Sequence, residues 1–323
     1  MKGPIALRKN SYVIAVAFII AVSILVAGYI KSNNQQGNYR ISDVRLFRST
    51  EAWALAEAVE RQAVNDIGKL VQKHPDWLNI QEPQYGATLL YWAVGTERYN
   101  AAAALLQAGA DPNIGVIKRG NITPLYTAAC YSHVDSDYKQ DPKYVKLLLQ
   151  YGADPNKHYL GGDPQNNITD IGTSPLMHSI GCGIEKTKAL VEGGADIDQK
   201  TKNGMTAAVR ALLNGGPNST LEGMQYAYYL IVEKKARVTD IFNFADAVNI
   251  PSNPPPKRDF QPVNLLRHWI YDIGSPEYKL KMAIVEEFKR QGVDYWKTEI
   301  PKNDLDAIKK SYPDTWQEYI KRY

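Results

Sequence analysis

Cysteine is scarce in this 323-residue chain: only Cys130 and Cys182 are present. At most one disulfide can form. Disulfide-stapled secreted scaffolds, zinc-finger arrays and iron–sulfur frameworks are therefore excluded. An excess of one charge is lacking too. Thirty-eight Lys+Arg against 34 Asp+Glu leave +4, too weak and too dispersed to argue for nucleic acid. Phe and Trp number six each, while Tyr reaches 21, and tyrosine's apolar face with a polar tip suits surfaces that touch partners. With 44% hydrophobic and 22% charged residues the chain is neither disordered nor collagen-like.

Catalytic signatures are also missing. There is no Gly-x-Ser-x-Gly elbow and no Gly-x-x-x-x-Gly-Lys phosphate loop. Asp135, Asp137 and Asp141 lack the Gly and closing Glu of a calcium loop. Cys130-x-x-His133 and His178-x-x-x-Cys182 offer a zinc ligand set on adjacent helices. Stacked helices lie about 8–10 Å apart, which is far for tetrahedral ligation and for a disulfide. Two unpaired thiols are expected, with no metal, no cofactor and no enzymatic activity.

One long apolar run stands out. Residues 12–30, between Tyr12 and Ile30, carry no charge, and Arg8, Lys9 and Lys31 flank them. As a helix this run is about 28 Å long, enough to cross a hydrocarbon core, with tyrosines near both interfaces. A cleaved signal peptide is the rival reading, with Val26-Ala27-Gly28 as a poor cleavage site. Lys2, Arg8 and Lys9 favour a cytoplasmic N-terminus with the body exported. The domains expected are a membrane anchor over 1–31, a polar spacer over 32–48, a repeat body over 49–238 and a C-terminal helical cap over 239–323.

The body repeats itself. Leu105-Leu106-Gln107-Ala108-Gly109-Ala110-Asp111-Pro112-Asn113 returns as Leu148-Leu149-Gln150-Tyr151-Gly152-Ala153-Asp154-Pro155-Asn156 and as Leu190-Val191-Glu192-Gly193-Gly194-Ala195-Asp196-Ile197-Asp198. Thr88-Leu89-Leu90, Thr123-Pro124-Leu125 and Ser174-Pro175-Leu176 open the corresponding units, and Gly204-Met205-Thr206-Ala207-Ala208 opens a degenerate one. A hydroxyl that caps a helix, small residues for close packing, paired leucines and a terminating glycine make one helix pair per unit. Such pairs bury their apolar faces only by stacking.

This pattern resembles the ankyrin repeat, G-x-T-P-L-H-x-A-A with a second helix and G-A-D-x-N, over about residues 50–238. The fold expected is all-α: a solenoid of five to six helix pairs behind an N-terminal transmembrane helix. Residues 51–62 and 64–73 read as an N-terminal capping pair. Residues 240–249, 263–271, 277–290, 304–310 and 315–322 read as C-terminal helices, with the proline-rich 251–257 extended between the first two. Gly109 to Gly152 and Gly152 to Gly194 exceed the usual repeat length of about 33, so insertions are expected at 134–141, 157–171 and 215–223.

The resemblance implies a partner-binding groove lined by the hairpin fingers and the first helices. Matched position by position, the groove comprises Gln84, Tyr85, Arg119, Ile122, Tyr131, His158, Tyr159, Leu160, Asp170, Lys202 and Met205. The rival surface is the tyrosine-rich C-terminal part. The function expected is protein–protein interaction by a membrane-tethered adaptor or scaffold at the cell envelope, with the repeat body periplasmic or otherwise outside the cytoplasm. An inhibitor or immunity protein that neutralises a toxin or enzyme there is the alternative. An enzyme is a distant third.

Overall fold

The structure, a computed structural model, describes residues 39–130, 132, 140–163, 169–216, 220–243 and 259–323. The expected membrane segment 12–30 and the proline-rich 251–257 lie outside the described residues, as do Tyr131, His133, Asp135 and Asp137. Among the described residues no helix is long and apolar enough to cross a membrane.

Five helix pairs follow one another. They are α1 (Trp53–Glu60) with α2 (Val64–Lys73), α3 (Leu89–Gly95) with α4 (Tyr99–Gln107), and α5 (Pro124–Cys130) with α6 (Lys143–Gln150). Then come α7 (Pro175–His178) with α8 (Ile184–Glu192), and α9 (Ala207–Asn214) with α10 (Leu221–Ala227), the last prolonged as a π-helix over Tyr228–Glu233. The caps read from sequence are in place. The hydroxyls of Thr88, Thr123, Ser174 and Thr206 accept from the amides of Tyr91, Tyr126, Met177 and Val209, satisfying a first-turn donor in each opening helix.

The second helices of the three central pairs end in a repeated double bond. Gly109 and Ala110 donate to the carbonyls of Leu106 and Leu105, Gly152 and Ala153 to Leu149 and Leu148, and Gly194 and Ala195 to Val191 and Leu190. All three glycines have positive φ, a conformation that glycine adopts cheaply. Gly292 and Val293 do the same at the end of the cap's long helix, so the worn Gly-Val-Asp there keeps the geometry of Gly-Ala-Asp.

The Asp-x-Asn that follows ties each repeat to the next. In Asp111, Asp154 and Asp196 a carboxylate oxygen accepts the amide two residues on, which fixes the turn. Asn113 then reaches forward: its Oδ1 accepts from the Asp154 amide at 2.7 Å and its Nδ2 donates to the Gly152 carbonyl at 2.9 Å. Asn156 makes the same two bonds to Asp196 and Gly194. Asn79 does it for Asp111, and Asp198 accepts from the Arg237 amide, so the ladder runs from the N-terminal pair into the last one.

The cap differs from its sequence reading. Over residues 240–249 a helix was expected, of which 244–249 lie outside the described residues. Instead β1 (Phe242–Asn243) pairs antiparallel with β2 (Asp259–Phe260), the departure from an all-helical fold among the described residues. The reason is tertiary. The Asn243 amide donates to the Asn203 carbonyl, and Phe242 stacks near Phe260 with ring centres 6.0 Å apart. Pro262–His268 is a 3-10 turn rather than a full helix. The remaining helices, α11 (Pro276–Arg290), α12 (Lys302–Ser311) and α13 (Trp316–Arg322), lie where they were read. Trp269 joins cap to repeats: it is buried, and its Nε1 donates to the Leu212 carbonyl at 3.1 Å. A Cβ on Gly215 would meet its ring, so that step needs glycine.

Candidate functional site

Between one helix pair and the next the chain makes a hairpin finger, and each finger is bonded through its main chain to its neighbour. The Lys118 amide donates to Tyr85, Leu160 to Gly120, Lys202 to Ile171 and Asn243 to Asn203. Within fingers, Val116 pairs with Ile122, Tyr159 with Thr173 and Gly172, and Thr201 with Met205 and Gly204. The fingers thus form a continuous ribbon from Tyr85 to Asn243.

The expected groove residues divide into supports and surface. Tyr159 is 2% exposed and Met205 5%, so both are core rather than groove-lining. Tyr159 lies so close to Gly120 that a Cβ there would overlap its ring, which explains both the burial and the glycine. Gln84 and Tyr85 are partly buried and reach back to Tyr39: the Gln84 Nε2 and the Tyr85 hydroxyl both donate to its carbonyl. Ile122 is partly buried within its own hairpin. His158 is also partly buried, beside the Asn156 carbonyl and Gln199 Nε2. Leu160 and Lys202 are exposed. Tyr131 lies outside the described residues.

Arg119 and Asp163 join the third finger to the fourth: Arg119 Nε donates to Asp163 Oδ2 at 3.0 Å, and the carboxylate is buried. Within the enlarged fourth finger, the Gly161-Gly162-Asp163 stretch acts as a brace for its neighbour.

Beneath the fingers sits a polar cluster of which sequence reasoning had named Asp170, for the groove, and His178, for a ligand set, without joining them. Tyr126 on α5 stacks on His178 at the end of α7, with ring centres 4.3 Å apart. Burial drives the His178 imidazole down to about 3, and the charges of Arg210 and Lys186 add to that. Burial likewise raises the Tyr126 hydroxyl far above its usual value. Arg210 donates to the Thr173 hydroxyl at 3.1 Å, which in turn donates to the Asp170 carbonyl. Asp170 accepts from Asn203 at 3.0 Å. The Asp170, Thr173 and Asn203 contacts fasten the base of the fourth finger to the fifth.

The thiols correct the sequence reading. Cys130 and Cys182 are joined in a disulfide, with Cα atoms 5.1 Å apart. The helix-spacing argument failed because α7 stops at His178. Cys182 therefore sits in the turn that follows, where the chain bends back to within reach of the end of α5. With both thiols bonded to each other, the Cys-His-His-Cys ligand set is not available to zinc.

Comparison with known proteins agrees with this geometry. The ankyrin repeat family model matches residues 85–115 and 121–158. An ankyrin repeat protein of fowlpox virus is 25% identical over 183 residues, 53% of this chain and 37% of its own length. Protein PhlB of Serratia liquefaciens is 31% identical over 179 residues, covering 55% of this chain and 67% of that protein. An ankyrin repeat protein of Acanthamoeba polyphaga mimivirus is 33% identical over 125 residues, 39% of this chain and 14% of the viral one. The chain thus spans well under half the length of the two viral relatives.

Proposed function

The chain belongs to the ankyrin-repeat family, and on that premise we propose that it works by gripping a protein partner with its fingers and groove while the segment from Tyr12 to Ile30 tethers it to a membrane. Ankyrin repeats generally mediate protein–protein interaction. The observation that carries the reading here is the unbroken ribbon of fingers, braced by Arg119 and Asp163, which presents one rigid edge along five helix pairs. A rigid edge loses little conformational freedom when a partner docks, so more of the contact energy appears as affinity.

The Cys130–Cys182 bond supports a body held outside the cytoplasm, because such bonds persist in oxidising compartments and are rare in reducing ones. The weak bias of positive charge towards the N-terminal side of the apolar run points the same way. Tethering would raise the local concentration of the binder at the envelope, as an adaptor or scaffold needs.

The test is cross-linking of the full chain in its own cells, followed by mass spectrometry. A discrete protein partner is expected, and replacing Arg119 and Tyr131 by Ala should weaken its recovery about tenfold or more. Undiminished recovery would move the binding surface off the fingers. Trapping free thiols at harvest should yield the Cys130–Cys182 pair intact; alkylated free thiols would return the body to a reducing compartment.

A further inference from the structure

A cavity of about 680 Å³ opens where the last helix pair meets the cap. Its apolar walls are Leu213 near the end of α9, Phe260 of β2, Leu265 of the 3-10 turn and Pro301 just before α12. Leu213 holds in α9 the position that Cys130 holds in α5, counted from the capping threonine. Cys130, under its disulfide, is 8% exposed, whereas Leu213 is 37% exposed. The walls are pinned on both sides of that leucine. Trp269 Nε1 donates to the Leu212 carbonyl, and the Tyr271 hydroxyl donates to the Gly215 carbonyl at 3.0 Å. The space is thus held open by bonds between cap and repeats.

Three polar residues complete the lining: Asn264, His268 and Glu299. His268 turns its Nδ1 to Asp304 Oδ2 at 2.8 Å, so a positive charge on that ring is met from within the cap. The Asn264 side chain has no hydrogen-bond partner among the described residues, and Glu299 is exposed with no ion-pair partner among them. No lysine or arginine of the described residues lines the cavity. Arg267 donates away from it, to Tyr295, Thr298 and Tyr323. Lys297 pairs with Asp294, and exposed Lys302 follows Pro301 without joining the lining. The unmatched charge of the described lining is the Glu299 carboxylate.

Small-molecule sites are commonly about 300–1,000 Å³, with mostly apolar walls and a few placed polar groups. We infer that this cavity binds a small apolar amine. Its hydrocarbon body lies against Leu213, Phe260, Leu265 and Pro301, and its ammonium donates to the Glu299 carboxylate and the Asn264 Oδ1. Release of water from the apolar walls supplies the affinity, and the carboxylate selects the sign of the end group. The site lies in the cap, apart from the fingers, and it stands or falls independently of their reading.

The test uses the full chain and three ligands that share one ring system and differ in the end group: naphthylethylamine, naphthylethanol and naphthylacetate. Affinities are read by isothermal titration calorimetry at neutral pH. The amine is expected to bind about fivefold or more tightly than the carboxylate, with the alcohol between them. Glu299→Gln, a change at an exposed position, should bring the amine and the carboxylate to within about twofold of each other while leaving the alcohol unchanged. Leu213→Trp, which fills the cavity from a half-exposed position, should abolish binding of all three with unchanged circular dichroism. Val64→Asp, on the surface of α2, should bind the amine as wild type does. A photoreactive analogue of the amine should label the segment from Asn264 to His268. Failure of all three ligands to bind, equal affinity for amine and carboxylate, or a preference that survives Glu299→Gln overturns the inference. So does full binding by folded Leu213→Trp, or labelling confined to the fingers.

Discussion

Asn113 and Asn156 make neutral, exposed bonds that recur from one repeat to the next, whereas Arg267 and Lys281 in the cap make buried, charged bonds that occur once. The side chain of each asparagine bonds to the next unit alone, so the loss of one leaves the other steps of the ladder intact. Arg267, 3% exposed, donates to the carbonyls of Tyr295, Thr298 and Tyr323 and to the Thr298 hydroxyl, with its guanidinium 3.9 Å from the centre of the Tyr295 ring. Lys281 is fully buried, its Nζ donating to the Trp269 carbonyl and lying 3.7 Å from the centre of the Tyr323 ring. Burial holds that ammonium well below its usual value, and the nearby Arg267 charge adds to the effect. One region is modular and tolerant; the other is a single knot in which every member depends on the rest.

The comparison can be broken most sharply at the disulfide. The bond joins residues 52 apart, and by chain entropy alone its loss costs about 4 kcal/mol. Thermal melts with and without reductant should show that fall within the repeats. A cap that melts first on reduction would mean that the two regions are not energetically distinct. Arg267→Ala is the counterpart in the cap. It strands several buried carbonyls, and about 3 kcal/mol or more should be lost, read as a separate early transition in urea. A single coincident transition would show that cap and repeats unfold as one.

Smaller effects sharpen the contrast. Asn156→Ala removes two inter-repeat bonds and should cost about 1–2 kcal/mol in the same urea series, without changing the cap. His178 gives a pH handle confined to the repeats. Its folded value, about 3, lies below the ordinary 6.5, so the unfolded chain binds the proton more readily. Stability from this group is full above the ordinary value and is lost as the pH falls towards the folded one. His178→Gln should therefore flatten the Tm profile between about pH 4 and 7, while a profile as steep as wild type would place the acid sensitivity elsewhere.

The repeats were legible because their rules are local. Thr-Pro caps, Leu-Leu stripes and Gly-Ala-Asp ends act within a few residues, and each is found where the sequence put it. The groove was legible only in outline. Tyr159 and Met205 were both placed in the groove by the repeat pattern, yet Tyr159 lies against Gly120 of the neighbouring finger and Met205 is buried in the core, and a sequence pattern cannot see what packs against a residue. The Cys130–Cys182 bond was missed for the same reason: helix spacing was the wrong ruler for a cysteine in a turn. The tyrosine-rich tail read as a rival surface with several of its tyrosines in the core, and Tyr295, Tyr319 and Tyr323 are buried.

By itself the sequence determined that helix pairs stack, and where the opening helices of the central repeats are capped and their second helices end, because capping and helix termination are bonds between residues a few positions apart. Only the tertiary structure decided which finger residues face outward, that the two thiols meet, and that a lysine and an arginine lie at the heart of the cap. Those outcomes depend on the approach of segments distant along the chain, and the burial or exposure of each side chain follows from what packs against it.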